Sequence, residues 1–409
     1  MSSTLDSSPR ADGSSSPDAP DAPDVPDVLE RRRQTVAVTG WGASFRFLQP
    51  HNACFWVYLA LLTDGLWILT SMVVSDAGVF AEAYTASLLT TGTFTLLFLL
   101  FLHRKDRWER TPGKLALAAF VIGGLGVPWA VALPGNAAMM SLYTKIFGQA
   151  WAEDWKAGLT APFVEESGKG IAFLLLLGLA PVVIRTVYDG LIVGAYVGLG
   201  FQVMEDMLYG KNAAITNFGA DQARSVLQTF VIRSISGLAS HALYTALFAA
   251  GLIYLIGTVA QPRRVGRGVA LLLAPVVVHG VWDSLGAIGR GTVFSYVLVV
   301  VVTLVSFAAL YVALRLAGGR ERGWLRDVLA PEVGNGTLTD DELTALTGYR
   351  KDVRALVRER GDRRSRRREK HVLRAARDLA HDLSVAGGDD SPDVEHSRRE
   401  ITRLRQRST

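Results

Sequence analysis

The stretch VFSYVLVVVVTLVSFAALYVALRL, residues Val293 to Leu316, decides the fold. It carries one charge, Arg315, next to its end. An apolar run of this length matches the ~30 Å hydrocarbon core of a bilayer, which a helix of ~20 residues crosses. Working outward, similar runs recur through the middle of the 409-residue chain, while charged residues collect in the two tails and a few loops. The expected fold class is therefore all-α, a polytopic transmembrane bundle. Eight spans can be drawn, at about 53–74, 84–102, 115–133, 159–179, 187–209, 235–259, 269–288 and 293–316. The aromatic, half-polar segment from Met139 to Trp155 suits the interface, and a short helix from Arg224 to Ser234 suits the surface.

Loop charges orient this map. Arg31, Arg32, Arg33 and Arg46 precede the first span. Arg104, Lys105, Arg107, Arg110 and Lys114 follow the second, Arg263, Arg264 and Arg267 the sixth, and Arg320, Arg322 and Arg326 the eighth. Loops of the other parity hold few cations, which by the positive-inside rule puts both termini in the cytoplasm of a multi-pass cell-membrane protein. Lys145, Lys156, Lys211 and Arg224 run against the pattern, partly offset by Glu153, Asp154 and Asp221.

The ends read as aqueous. The first 34 residues include SSSPDAPDAPDVPDV and lack both the basic start and the apolar stretch of a signal peptide. Such composition buries no core, so residues 1–50 are expected to be a disordered cytoplasmic tail. Residues 51–317 form the membrane domain, and 318–409 a basic, partly helical cytoplasmic tail. In that tail Thr339 and Glu342 have capping-box spacing, and RRSRRREK follows at Arg363–Lys370. That basic run reads as a solvated helix or as a contact with anionic lipid. No recognition motif accompanies it, so nucleic acid is not expected. The single cysteine, Cys54, excludes an intrachain disulfide and a cysteine-based zinc cluster.

Ionisable residues inside spans are costly and are functional candidates by default. Four clusters qualify. Glu165-Glu166-Ser167-Gly168-Lys169 lies near the start of the fourth span, with Glu165 and Lys169 four residues apart on one helix face. Phe201-Gln202-Val203-Met204-Glu205 ends the fifth span behind Gly190, Gly194, Gly198 and Gly200, small residues that let helices approach closely. His241 comes early in the sixth span, and His279 with Asp283 late in the seventh. In the span map all four fall in the outer half of the bilayer.

Carboxylates and imidazoles in a shielded cavity suit two related chemistries. A buried Glu can act as general base toward water. Glu and His can also hold a divalent metal that activates water and polarises a carbonyl. Lys169, His279 or Asp283 would then orient partners or stabilise an oxyanion. Neither HExxH nor GxSxG occurs. The same residues would also suit a proton- or cation-coupled transporter, but no repeat places matching polar residues in both halves. A non-catalytic scaffold is a third class.

Glu165-Glu166-x-x-Lys169, Phe201-x-x-x-Glu205, His241 and His279, in that order, resemble the PrsW family of intramembrane proteases. That family is similar to the group of CAAX-prenyl-protease and bacteriocin-processing enzymes. The resemblance covers about residues 50–317. It implies that Glu165 and Glu205 activate water, that Glu166 and Lys169 brace the site, and that His279 with Asp283 contacts a metal or the oxyanion. A divalent metal, zinc, would be held by Glu165, Glu205, His241 and His279. Asp283 replaces the Asn of the wider group, and an ionised Asp only accepts hydrogen bonds. The implied substrate is a single-span membrane protein resembling an anti-sigma factor, cut near its outer membrane face in regulated intramembrane proteolysis.

Overall fold

A computed structural model describes residues 25–236 and 240–406. Among them every regular element is helical. The order is α1 (Val25–Thr39), α2 (Ala53–Lys105), α3 (Gly113–Val121), a π-helical segment (Ile122–Ala132), α4 (Leu133–Phe147), α5 (Gln149–Leu179), α6 (Val187–Thr216), α7 (Gln222–Ser236), α8 (His241–Ile256), α9 (Val265–Asp283), α10 (Leu285–Gly289) and α11 (Val293–Gly334). Then come α12 (Asp340–Thr347), α13 (Arg350–Glu359), α14 (Arg363–Val385) and α15 (Pro392–Gln406).

Five stretches are long and apolar enough to cross a membrane: α2, the continuous run 113–147, α6, α9 and α11. Their outward faces are apolar, with Trp67 74% exposed and Leu304 64% exposed. A water-facing surface would not leave such rows uncovered, whereas lipid accepts them.

The eight-span map needs correction in several places. Its first two spans are one continuous element, α2, with non-helical backbone at Phe80 (φ −113°, ψ 24°). Both ends of α2 nevertheless meet the same end of the bundle. Asn52 donates to Gly178 O near the end of α5 (2.9 Å), and Tyr188 at the start of α6 donates to Lys105 O. Asp76 pairs with Lys211 near the far end of α6 (2.8 Å). So α2 folds back around Phe80, and its two limbs occupy the stretches expected as the first two spans. The segment 139–155 is not one interfacial helix. It divides at Gly148, whose φ of +85° breaks α4 from α5. Helix α5 therefore begins ten residues earlier than expected, and Glu165 sits at its middle rather than near its start. The sixth span is shorter: α8 begins at His241, and the expected residues 237–239 lie outside the described ones.

The ends are more ordered than their composition suggests. Residues 1–24 of the expected tail lie outside the described residues, but 25–39 form α1, which docks on the far end of α11. Arg32 is 1% exposed. It donates to Val328 O (2.8 Å) and Glu332 Oε1 (2.7 Å), and Arg398 of α15 donates to both Glu332 oxygens (2.8 and 2.9 Å). Around this ion cluster, Val36, Trp41, Leu329, Leu346, Leu379 and Ile401 build a second apolar core, distinct from that of the bundle. The tail is thus a packed helical module with its own core, and the expected boundary at 317/318 falls inside α11. The composition reading failed at α1 because the partners of Arg32 are some 300 residues away.

Candidate active site

The site depends first on how closely α6 and α8 approach. A β-carbon at Gly198 would lie 2.2 Å from His241 O, and one at Gly194 2.6 Å from Thr245 O. Only glycine permits this spacing, which carries His241 at the first turn of α8 in toward α5.

Glu165, Glu166 and Lys169 of α5, His241 of α8 and His279 of α9 are all buried. Lys169 Nζ donates to Glu166 Oε1 (2.8 Å) and lies 3.5 Å from Glu165 Oε2. The tighter pair is therefore i,i+3 with Glu166, not the expected i,i+4 pair with Glu165. Lys169 Nζ also lies 2.8 Å from His241 Nδ1, and 4.1 Å from the centre of the Phe201 ring. An ammonium only donates, so His241 Nδ1 accepts. Its Nε2 hydrogen is then donated to Glu205 Oε2 (2.8 Å). On α9, His279 Nδ1 is 3.2 Å from Glu166 Oε1, and its Nε2 is 3.3 Å from Asp283 Oδ2.

One arrangement results. His241 Nε2 is held by Glu205 and His279 Nδ1 by Glu166, while His279 Nε2 also has Asp283 beside it. The other nitrogen of each ring faces Glu165 Oε2, at 3.8 Å for His241 Nδ1 and 3.9 Å for His279 Nε2. That Glu165 oxygen is buried and accepts no hydrogen bond, while Oε1 is held by Asn136 Nδ2 (3.0 Å). One ligand atom from each of Glu165, His241 and His279 lies within 4.8 Å of the others. An unsatisfied carboxylate oxygen between two imidazoles, each braced by a carboxylate, is a donor set that fits a divalent transition metal. Lys169 meanwhile supplies the positive charge in this cluster.

The expected ligand Glu205 stands apart from that trio. It meets the His241 nitrogen remote from Glu165, and Arg233 of α7 donates to the same oxygen (2.6 Å). Arg233 also pairs with Asp206 and lies over the Tyr209 ring (3.9 Å). A cavity of about 50 Å3 lined by Glu205, Tyr209, Arg233, His241, His279 and Asp283 abuts the cluster. That exceeds the ~10–15 Å3 that one water needs. Sequence reasoning missed Asn136, Arg233 and Tyr244, whose ring stacks on His279 (5.5 Å between centroids). Arg233 had a signal: the adjacent carboxylates of Glu205 and Asp206 required a cation, and α7 brings one.

Carboxylate, imidazole and small cavity thus lie together between apolar helices. Residues 111–310 match the PrsW family intramembrane metalloproteases. The PrsW match runs from just before α3 into α11 and takes in every residue of the cluster, leaving α1, α2 and the C-terminal module outside it. The PrsW resemblance carried by Glu165, Glu166, Lys169, Glu205, His241 and His279 thus agrees with a match that contains all six, although it begins at 111 rather than near 50. A metalloprotease family implies a metal, and Glu165, His241 and His279 are the residues grouped to hold one. No curated protein and no solved structure matches the chain.

Proposed function

We propose that this protein is an intramembrane endopeptidase that hydrolyses a peptide bond in a single-span membrane protein. The observation that carries the reading is the buried trio Glu165, His241 and His279, set within the region that matches the metalloprotease family. These three residues would hold a divalent metal, which we assign as zinc on its nitrogen and oxygen donors. When bound, the metal would lower the pKa of a water and polarise the scissile carbonyl.

The chain's own residues divide the remaining work. Glu165 Oε2, which accepts no hydrogen bond, is the oxygen that would face the metal beside the attacking water. Asn136 fixes the orientation of that carboxylate. Glu205 and Glu166 are positioning residues that lock the two imidazole rings. Lys169 carries donors toward an oxyanion forming beside Glu165. Asp283 Oδ2 lies 3.3 Å from His279 Nε2, the nitrogen that would face the metal, and stands where the wider group has an amide donor. Arg233 neutralises Glu205 and Asp206 at the cavity.

We place both termini in the cytoplasm. The packing of α1 against α11 supports a shared side for the two terminal segments, and the basic loops support that side being the inner one. The substrate, an anti-sigma-factor-like protein with one span, would be cut near its outer membrane face. The test co-reconstitutes the chain with a labelled single-span substrate and maps products by mass spectrometry. Wild type should cleave, and Glu165→Gln and His279→Ala should lose about 10²–10⁴-fold in rate. Equal cleavage by both variants would overturn the assignment.

A further inference from the structure

Away from the active site, where α2 ends, α6 begins and α11 leaves the bundle, two cavities meet. The first, about 300 Å3, is apolar and runs between Phe94 and Phe98 of α2, Leu191 of α6, Ala246 of α8, and Phe307 and Leu310 of α11. The second, about 490 Å3, carries Arg104, Arg107, Arg315, Arg322, Arg350 and Lys351 on its wall and no carboxylate. Lys105 and Leu314 line both, so the two are adjacent.

Among the described residues, none of these seven cations has a carboxylate oxygen within 4.0 Å. They turn instead to backbone and rings. Arg107 donates to Gly348 O (3.1 Å) and Arg350 to Arg104 O (3.0 Å), while the Arg322 guanidinium lies 4.1 Å from the centre of the Tyr349 ring. Burial, then the nearby charge of Arg377, and further that of Arg350 and Arg322, hold the Arg107 guanidinium down at about 10. Several arginines elsewhere do meet a carboxylate, as Arg33 does Asp389 and Arg403 does Glu400. Seven gathered cations without an anion cost self-repulsion that a bound anion would relieve.

We propose that the two adjacent cavities together bind one anionic phospholipid, its phosphate in the basic part and an acyl chain in the apolar part. Charge complementarity selects the anion, and the adjacent apolar cavity selects an amphiphile over a free phosphate. Bound there, the lipid bridges α2, α6 and α11 to the start of α13 and so ties the membrane bundle to the C-terminal module. The site is separate from the basic run at Arg363–Lys370, which does not line it.

The test titrates the purified full chain in detergent micelles with phosphatidylglycerol, phosphatidylcholine or sodium phosphate and reads bound lipid by native mass spectrometry. One phosphatidylglycerol per chain should be retained, with phosphatidylcholine at least tenfold weaker and millimolar phosphate unable to displace the lipid. Arg107→Gln with Arg322→Gln should weaken phosphatidylglycerol at least tenfold, while Arg363→Gln with Arg364→Gln leaves it unchanged. Leu310→Trp, which fills the apolar part and keeps every cation, should also lose the lipid. Equal retention of both lipids, equal loss in the two arginine pairs, full displacement by phosphate, or undiminished binding by Leu310→Trp would each overturn the proposal.

Discussion

Replacing Gly198 by alanine should damage the active site without touching any of its side chains. The added β-carbon would start 2.2 Å from His241 O and 2.8 Å from Ala242 Cα, whereas ordinary contact begins at 3.4 Å. Both neighbours are backbone, so no side chain can swing aside, and the start of α8 must retreat by about 1 Å to restore normal packing. Overpacking of this kind costs ~1–3 kcal/mol. The same retreat lengthens the bonds of His241 to Glu205 and Lys169, both 2.8 Å, beyond hydrogen-bond range. A misplacement of ~1 Å at a reacting group costs on the order of 10²-fold in rate. Thermal unfolding in detergent and the initial rate of substrate cleavage read the two effects. Gly92→Ala in α2, where a β-carbon meets nothing within 4 Å, serves as the control and should leave both unchanged. A Gly198→Ala protein with wild-type melting temperature and rate would refute the claim that glycine spacing between α6 and α8 sets the position of His241.

Other consequences can be checked separately. Glu205→Gln removes the carboxylate that orients His241, and should weaken metal affinity ~10–100-fold in a chelator competition; unchanged affinity would show that Glu205 does not position the ligand. Glu332→Ala strips the common partner of Arg32 and Arg398 and leaves a buried guanidinium unpaired, so unfolding of the C-terminal module should be easier by ~3–5 kcal/mol; a loss under ~1 kcal/mol would mean that water reaches Arg32. The hydrogen bond to Glu109 raises the pKa of His381, so this pair stabilises the fold fully below the ordinary histidine value of ~6.5 and loses its contribution as pH rises through the raised value. The melting temperatures of wild type and His381→Gln should therefore differ at pH 5 and converge at alkaline pH, whereas a gap that persists there would contradict the pairing.

Much of the site was legible because membrane burial makes polar residues expensive. Glu165, Glu166, Lys169, Glu205, His241 and His279 stood out against apolar surroundings, and i,i+4 spacing correctly joined His279 to Asp283. What spacing does not fix is which neighbour wins. Lys169 is three residues from Glu166 and four from Glu165, and the tertiary position of His241 pulls it to the former. Glu205 looked like a ligand because proximity to His241 was foreseeable but the choice of ring nitrogen was not. Asn136 falls between the third span and the segment read as interfacial, and Arg233 lies in a helix read as surface, so only the packing of α4 and α7 shows them turned inward. The fold class followed from apolar run lengths alone. The break at Phe80 falls in the gap drawn between the first two spans, but the one at Gly148 interrupts a segment read as continuous. The terminal module was least legible, because its core is assembled from α1 and α11–α15 across nearly the whole chain.

The central claim is that Glu165, His241 and His279, from three helices, form one metal-holding centre. Its most direct test is the metal content of the purified protein by elemental analysis, with each of Glu165→Gln, His241→Ala and His279→Ala beside the wild type. The account predicts about one zinc per wild-type chain after loading, and well under a tenth of that in each variant at matched folding, given the ~10-fold or greater loss expected when a ligand is removed. Wild-type stoichiometry in any of the three variants, or no metal in a wild-type preparation that cleaves its substrate, would contradict it.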